Sequence, residues 1–435
     1  MRSSLKILFV QIRDQNFESL GIELLSALAR REGHECFLSI LEKGRLEEDL
    51  RRLRPDLVAY SAKTGEANDM YRVNTWVRKR FGIPGIMGGP HVTFNHRRML
   101  LRGEEATWMA ADDPTLEQST MDYLAVGEAD ESWPLLLRAL SSGSSPDAIP
   151  GILSRGSRQP DGGAVLGRRT EDLDSLPYLD REVVYAASDV KNLSLRSHMA
   201  SRGCPFVCTY CFNAQFNAMY RGRGKLLNRY SVDRLVAELA DLVSRHRTEY
   251  IKFQDDVFAF HTDDWLREFA EKYPRAVGVP FHALFRADLI RRDPEILAVL
   301  QKGGLDSVAM AIESGNVWIR EKVFKRGMTE EDVVVAFDAC RKLGLKSYCY
   351  NILGVPMPCV PAPEDAAFEA KARVFLGQVR THFGLEDGLE PRLVEDAVVP
   401  REERAELVRR YRDLGFRSDP IEYDLETLDL NLRCR

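Results

Sequence analysis

The chain has 435 residues, 44% hydrophobic and 29% charged, with a formal net charge of −5. That length gives about two or three domains with cores of their own, and the composition is that of a globular protein. It excludes a basic nucleic-acid binder, and no apolar run is long enough to cross a bilayer.

The N-terminus, "MRSSLKILFVQIRDQNF", has one short apolar run and then turns charged. It reads as a first strand over 6–10, not as a signal peptide. The next stretch puts Leu20, Leu24, Leu25 and Leu28 on one helical face, with Gly33 as a stop. Strands follow at 35–40 and 55–61, a helix at 68–82, strands at 83–89 and 121–127, and a helix at 132–143. Such alternation predicts a parallel sheet with helices on both faces. Residues 97–120 break the rhythm and read as an inserted helix or loop. Residues 141–180, rich in Ser, Gly, Pro and Asp, read as a connector carrying a small hairpin.

In a sheet of this kind a ligand binds outside the carboxyl ends of the strands. "SAKTG" (61–65), "GGPH" (88–91) and "GE" (127–128) fall there. Glycines at three strand ends let a ligand approach the backbone, or simply make tight turns; the residues leave both readings open. A G-x-G-x-x-G fingerprint for nicotinamide or flavin is missing.

In the second half a strand leads into "SRGCPFVCTYCF". Further strands are predicted at 250–256, 281–288, 307–315 and 346–356, with helices at 231–245, 263–273, 293–302 and 330–343. This is a βα repeat, as in a barrel or partial barrel, whose site sits at the carboxyl ends of the strands. The cysteine loop, Asp255, Asp256, Arg286 and Glu313 collect there. Tyr348 and Tyr350 read as core packing, with acid–base roles as the alternative. "REERAELVRRYRDLGF" reads as an amphipathic helix with a solvated face.

Cys204, Cys208 and Cys211 are spaced C-x3-C-x2-C. A zinc knuckle needs a fourth Cys or His at close spacing, and none is present. A redox C-x-x-C would leave Cys204 idle. A [4Fe–4S] cluster held by three thiolates, with one open iron, fits the count. The other five cysteines (Cys36, Cys340, Cys349, Cys359, Cys434) are scattered and read as cytosolic thiols in a cytoplasmic protein.

The cysteine spacing, with Phe212 after it, resembles the radical S-adenosylmethionine superfamily. "PDLVAYSAKTG", "GIPGIMGGPHVTF", "DYLAVGEADESWPLLLRAL" and "LDSLPYLDRE" resemble the cobalamin-binding domain of its cobalamin-dependent members, over residues 5–180. The resemblance implies an α/β fold. A Rossmann-like cobalamin-binding domain would span 1–150, a linker 151–190, a partial radical barrel 191–375 and a short helical region 376–435. It implies that Cys204, Cys208 and Cys211 hold the cluster, and that S-adenosylmethionine chelates the open iron and is cleaved to a 5′-deoxyadenosyl radical. Phe212 would lie near the adenine, Asp255 or Asp256 near the methionine amine, and Arg286 on the carboxylate. Glu313 would meet the ribose hydroxyls, and the backbone of Leu353 and Val355 the base. Ser61, Thr64, Gly65, Gly88, Gly89, Gly127 and Glu128 would line the cobalamin. The loop "QIRDQNFESLG" has no histidine, so the D-x-H-x-x-G signature of corrinoid mutases is absent. After "NILGVP" the resemblance thins.

The implied activity is methyl transfer to an unactivated carbon or a phosphorus centre of a small-molecule substrate. Flavodoxin or ferredoxin would supply electrons, and neither nucleic acid nor membrane would take part. A radical cyclase or ring-rearranging oxidoreductase without methyl transfer is one alternative. A non-catalytic corrinoid- or cluster-binding protein is the other.

Overall fold

A computed structural model describes residues 4–100, 121–155, 165–317 and 319–352. Its contacts divide the chain into two compact units. One takes the described residues of 1–205 with 215–255 and 272–281; the other takes 206–214, 256–271 and the described residues from 282 onward.

The first unit is built on six strands: β1 Lys6–Gln11, β2 Glu35–Ile40, β3 Leu57–Ser61, β4 Gly85–Gly88, β5 Tyr123–Ala125 and β6 Ile152–Ser154. Their order is β2-β1-β3-β4-β5-β6. The first five run parallel, and β6 pairs antiparallel with β5 at the edge. Ile7, Leu8, Phe9 and Val10 are all buried, as a strand covered on both faces requires. The helices Leu20–Arg31, Leu46–Leu53, Ala67–Phe81, Pro90–Leu100 and Ser132–Ser142 connect the strands. Leu46–Leu53 was not anticipated, although Leu46, Leu50 and Leu53 recur on one buried face. Residues 101–120 of the expected insertion lie outside the described residues.

Five more strands form a second sheet: β7 Leu195–His198, β10 Tyr250–Phe253, β11 Phe281–Phe285, β12 Leu305–Glu313 and β13 Lys346–Asn351. Their order, β13-β12-β11-β10-β7, follows the chain. The described registers, β7 with β10 and β12 with β13, are parallel. Between β7 and β10 lie the cysteine loop and a short antiparallel pair, β8 Ser201–Arg202 with β9 Asn228–Arg229. Helices Val232–Arg245, Asp264–Ala276, Glu295–Lys302 and Glu330–Lys342 match the predicted ones. The last begins with Thr329 and Asp332 in a reciprocal capping box. The architecture is therefore α/β with largely parallel sheets. The charged segment 401–416, Leu353, Val355, Cys359 and Cys434 lie outside the described residues. Among the described residues no helix is long and apolar enough to cross a membrane.

Charges are buried within the first unit. Glu18 accepts from Ser197 N at 2.8 Å and from the Tyr185 hydroxyl at 3.0 Å, with Arg181 and Arg196 each at 3.5 Å. Glu23 is fully buried, and neither of its carboxylate oxygens has a hydrogen-bond partner among the described residues. Arg181 lies 3.5 Å from it but is shared with Glu18. Desolvation prevails and pushes the Glu23 carboxyl up to about 8, against the attraction of Arg181.

Two predictions follow from packing and charge. Glu23 has a raised folded-state pKa, so its stabilising protonation is complete below the ordinary value of 4.5 and is lost as pH rises to about 8. Glu23→Gln should flatten the fall in the urea midpoint across that window and leave the acid side unchanged. Gly89 has φ +91°, and a Cβ there would lie 2.9 Å from both the N and O of Ala62. Gly89→Leu should therefore destabilise the fold by about 1–3 kcal/mol, read from the same titration.

Candidate active site: the cysteine loop and the sheet cavity

The backbone entering the cysteine loop is tightly specified. Asp255, at the end of β10, accepts from Ala200 N at 2.9 Å and from the Ser201 hydroxyl at 2.5 Å. Gly203 follows with φ +93°, and a Cβ there would fall 2.1 Å from the Leu226 carbonyl oxygen. Only glycine fits immediately before Cys204. Asn217 Nδ2 then donates to the Cys204 carbonyl at 2.8 Å. Farther on, Thr209 N and Oγ1 donate to the carbonyls of Phe324 and Val323 at 3.0 and 2.5 Å. The helix Phe212–Met219 starts directly after Cys211.

Cys204 and Cys208 are buried and Cys211 is half-buried; none of the three is in a disulfide among the described residues. Two carry polar hydrogens aimed at sulfur. Asn213 Nδ2 lies 3.6 Å from Cys211 Sγ, and Arg286 Nη1 lies 3.7 Å from Cys208 Sγ. Burial pushes the Cys211 thiol up, and Asn213 opposes it. Among the described residues no three His, Cys, Asp or Glu side chains are grouped to hold a single metal ion. A donor set of three thiols on one short loop instead fits a cluster that gives each ligand its own iron.

The other expected residues divide. Phe212 is exposed. Asp255 is 1% exposed and committed to the backbone; burial raises its carboxyl to about 6 against those hydrogen bonds. Asp256 is half-buried and faces Cys211 electrostatically. Arg286 is buried and already engaged: Nε donates to Asp288 at 2.9 Å and Nη2 to the Arg326 carbonyl at 2.7 Å. Glu313 sits at φ +67°, a left-handed conformation that costs a non-glycine residue energy. Its carboxylate lies 3.8 Å from Arg326 Nη1, which also donates to the Tyr210 hydroxyl. Burial raises the Glu313 carboxyl, while Arg326 and Tyr210 oppose the shift. The grouping of Glu313, Tyr210 and Arg326 escaped the sequence reading. Tyr210 lay in plain view between Cys208 and Cys211; Arg326 carried no signal. Tyr348 and Tyr350 are exposed at 53% and 44%, so the core-packing reading is corrected.

A cavity of about 340 Å³ opens in the first unit at the carboxyl ends of β1 and β3. In the order 2-1-3-4-5 this is the switch point, where connections leave in opposite directions and ligands bind. Gln11, Ser61, Lys63 and Glu18 supply polar groups, and Ile12, Ile22 and Met70 an apolar wall. Lys252 and Gln254, from β10 and its end, also reach it and were not anticipated. Among the described residues no histidine lines it. Thr64 and Gly65 begin the short turn after β3, while Gly88 ends the next strand and Gly89 follows it. Gly127 and Glu128 are engaged elsewhere. The Tyr220 hydroxyl accepts from Glu128 N at 2.7 Å and sits where a Gly127 side chain would be. Arg169 pairs with the Glu128 carboxylate at 3.0 Å.

The radical SAM superfamily profile matches residues 199–358. An uncharacterised methyltransferase of Pyrococcus horikoshii is 25% identical over 351 residues, covering 78% of this chain and 69% of that one. The hopanoid C-3 methylase of Methylococcus capsulatus is 24% identical over 349 residues, covering 78% of this chain and 61% of its own. The anaerobic magnesium-protoporphyrin IX monomethyl ester cyclase of Rubrivivax gelatinosus is 25% identical over 285 residues, covering 63% and 46%. The chain thus spans between about half and two thirds of these relatives. In fold it is similar to the radical S-adenosylmethionine methyltransferase TsrM of Kitasatospora setae, solved with cobalamin and a [4Fe–4S] cluster bound. The TM-score is 0.59 at 16% identity, over 82% of this chain and 71% of that one. Residues 199–358, which hold the cysteine loop and the βα repeat around it, thus match the radical SAM superfamily, and the chain is similar to methyltransferases and a cyclase.

Proposed function

We propose that the chain is a cobalamin-dependent radical S-adenosylmethionine methyltransferase acting on an unactivated carbon or phosphorus centre of a small molecule. The observation that carries this reading is the three-thiol loop, with N–H donors aimed at two of its sulfurs. The cavity at the β1/β3 switch point supports a second cofactor. In domain terms, residues 1–150 are read as the corrinoid-binding domain, 151–190 as the linker and 191–375 as the partial barrel, of which residues up to 352 are described; the expected short helical region 376–435 lies outside the described residues.

When bound, the cluster supplies one electron and an open iron for S-adenosylmethionine, and the corrinoid supplies a methyl carrier. The chain does the rest. Cys204, Cys208 and Cys211 hold the cluster, and Asn213 steadies the Cys211 sulfur. Glu313, fixed by Arg326 and Tyr210, offers a carboxylate to ribose hydroxyls. Exposed Phe212 offers a ring face to the adenine, and Asp256 a carboxylate to the methionine amine. Ser61 and Gln11, with Lys63, hold the polar tail of the corrinoid. Gly65, Gly88 and Gly89 do not line the cavity itself and, with Thr64, lie at or just past the ends of β3 and β4 on the same end of the sheet. Gly127 and Glu128 shape the sheet beside it, through Tyr220 and Arg169. Flavodoxin or ferredoxin is the reductant of matching chemistry.

Anaerobic reconstitution should load about four iron atoms per chain, and alanine at all three loop cysteines should abolish loading. A triple variant that keeps its iron would remove the assignment. With substrate, S-adenosylhomocysteine and 5′-deoxyadenosine should form in equal amounts; 5′-deoxyadenosine alone would favour the cyclase alternative. Glu313→Gly should leave the urea midpoint unchanged or raise stability by up to about 1 kcal/mol, because glycine tolerates φ > 0. The same variant should lose S-adenosylmethionine cleavage. Loss of stability with activity intact would make Glu313 structural.

A further inference from the structure

Arg286 is held more completely than binding a mobile ligand requires. It is 4% exposed and follows β11 at the start of the helix Ala287–Arg292. Its Nε donates to Asp288 Oδ1 at 2.9 Å, and Asp288 is itself buried and paired through Oδ2 with Arg292 at 3.0 Å. Its Nη2 donates to the Arg326 carbonyl at 2.7 Å. The guanidinium carbon lies 3.7 Å from the ring centroid of Phe206, two residues before Cys208. The Phe206 ring in turn stacks on Phe260 at 6.1 Å and 16°. Two nitrogens and one face of the group are thus fixed, and the remaining nitrogen, Nη1, points at Cys208 Sγ from 3.7 Å.

A planar fork with fixed donors serves this arrangement, and a lysine ammonium could not reach all four partners at once. Such a donor stabilises negative charge on the sulfur. Hydrogen bonds to cluster sulfurs and local charge set iron–sulfur reduction potentials. Buried Asp288 pairs with both Arg286 and the largely exposed Arg292, so the three side chains together carry one net positive charge near the sulfur.

We propose that Arg286 is a positioning residue for the cluster ligand Cys208, and that its Nη1–H···S bond raises the reduction potential of the cluster. This rests on the reading that the loop cysteines hold a [4Fe–4S] cluster. It also moves Arg286 away from the carboxylate of S-adenosylmethionine, the partner that the sequence resemblance implies.

The test uses the full chain, reconstituted anaerobically, with Arg286→Met and Arg286→Lys beside it. Iron and sulfide are counted, the potential is read by redox titration followed by electron paramagnetic resonance, and S-adenosylmethionine affinity is measured separately. The expected result is full iron content in all three proteins, a more negative potential in Arg286→Met, and a smaller shift in Arg286→Lys, which keeps the charge. Affinity for S-adenosylmethionine should stay within about twofold, since no contact to it is removed. An unchanged potential in Arg286→Met with its iron intact overturns the proposal. So does an affinity loss of about tenfold or more at constant potential, the size expected for a lost charge-assisted bond to the carboxylate. Unaltered protein carrying ¹⁵N-arginine guards against variants that fail to fold. Hyperfine coupling of that nitrogen to the reduced cluster supports the contact, and its absence overturns it. Wild-type protein that takes up no iron removes the cluster reading itself, and is told apart from these outcomes by the iron count.

Discussion

The carboxylate of Asp255 receives the amide of Ala200 and the hydroxyl of Ser201 at the point where the chain leaves β7. Everything downstream in the loop depends on that junction. It fixes the short strand β8, which pairs with β9, and it sets Gly203 against the Leu226 carbonyl with no room for a side chain. Cys204 then has one place to go. A buried carboxylate is expensive unless hydrogen bonds compensate it, and here backbone and hydroxyl donors do so only in part, since burial still raises its pKa to about 6. The acid at the strand end is thus spent on geometry.

A similar trade occurs in the first unit. Glu18 lines the cavity and at the same time anchors Ser197, Tyr185, Arg181 and Arg196. Buried ion pairs of this kind seldom add stability over an apolar core, because desolvation offsets the attraction. What they supply is registration: the wall of the cavity and the strand leading to the cysteine loop are bound to the same carboxylate. The Glu23 carboxylate, five residues on, has no hydrogen-bond partner among the described residues and carries the desolvation cost without that return.

The sequence was legible where a short-range pattern carried the information. Strands and helices followed from runs such as 6–10 and 330–342, because period and capping are local. The cysteine loop was legible from spacing alone. The partners of strand-end residues were not. Asp255 and Asp256 stand side by side, yet one is buried in backbone bonds and the other half-buried beside Cys211. Gly127 and Glu128 look like ligand residues until Tyr220, 92 residues from Glu128, and Arg169, 41 residues away, close over them. Lys252 and Gln254 join the cavity through tertiary placement that no periodicity encodes. The helix Leu46–Leu53 was missed for a different reason: eight residues give too few turns for the apolar repeat to stand out.

The chain-order arrangement of the second sheet bears on how it assembles. Of the segments that join its neighbouring strands, the one between β7 and β10 is the longest; it contains β8, the cysteine loop, a helix, β9 and a second helix. Closing a longer segment costs more chain entropy, though the cost grows slowly with length. Any group that bridges Cys204 and Cys211 shortens the free contour of that segment before β7 and β10 meet. Metallation and strand pairing are then thermodynamically linked, so the loaded protein should be the more stable of the two forms at equilibrium.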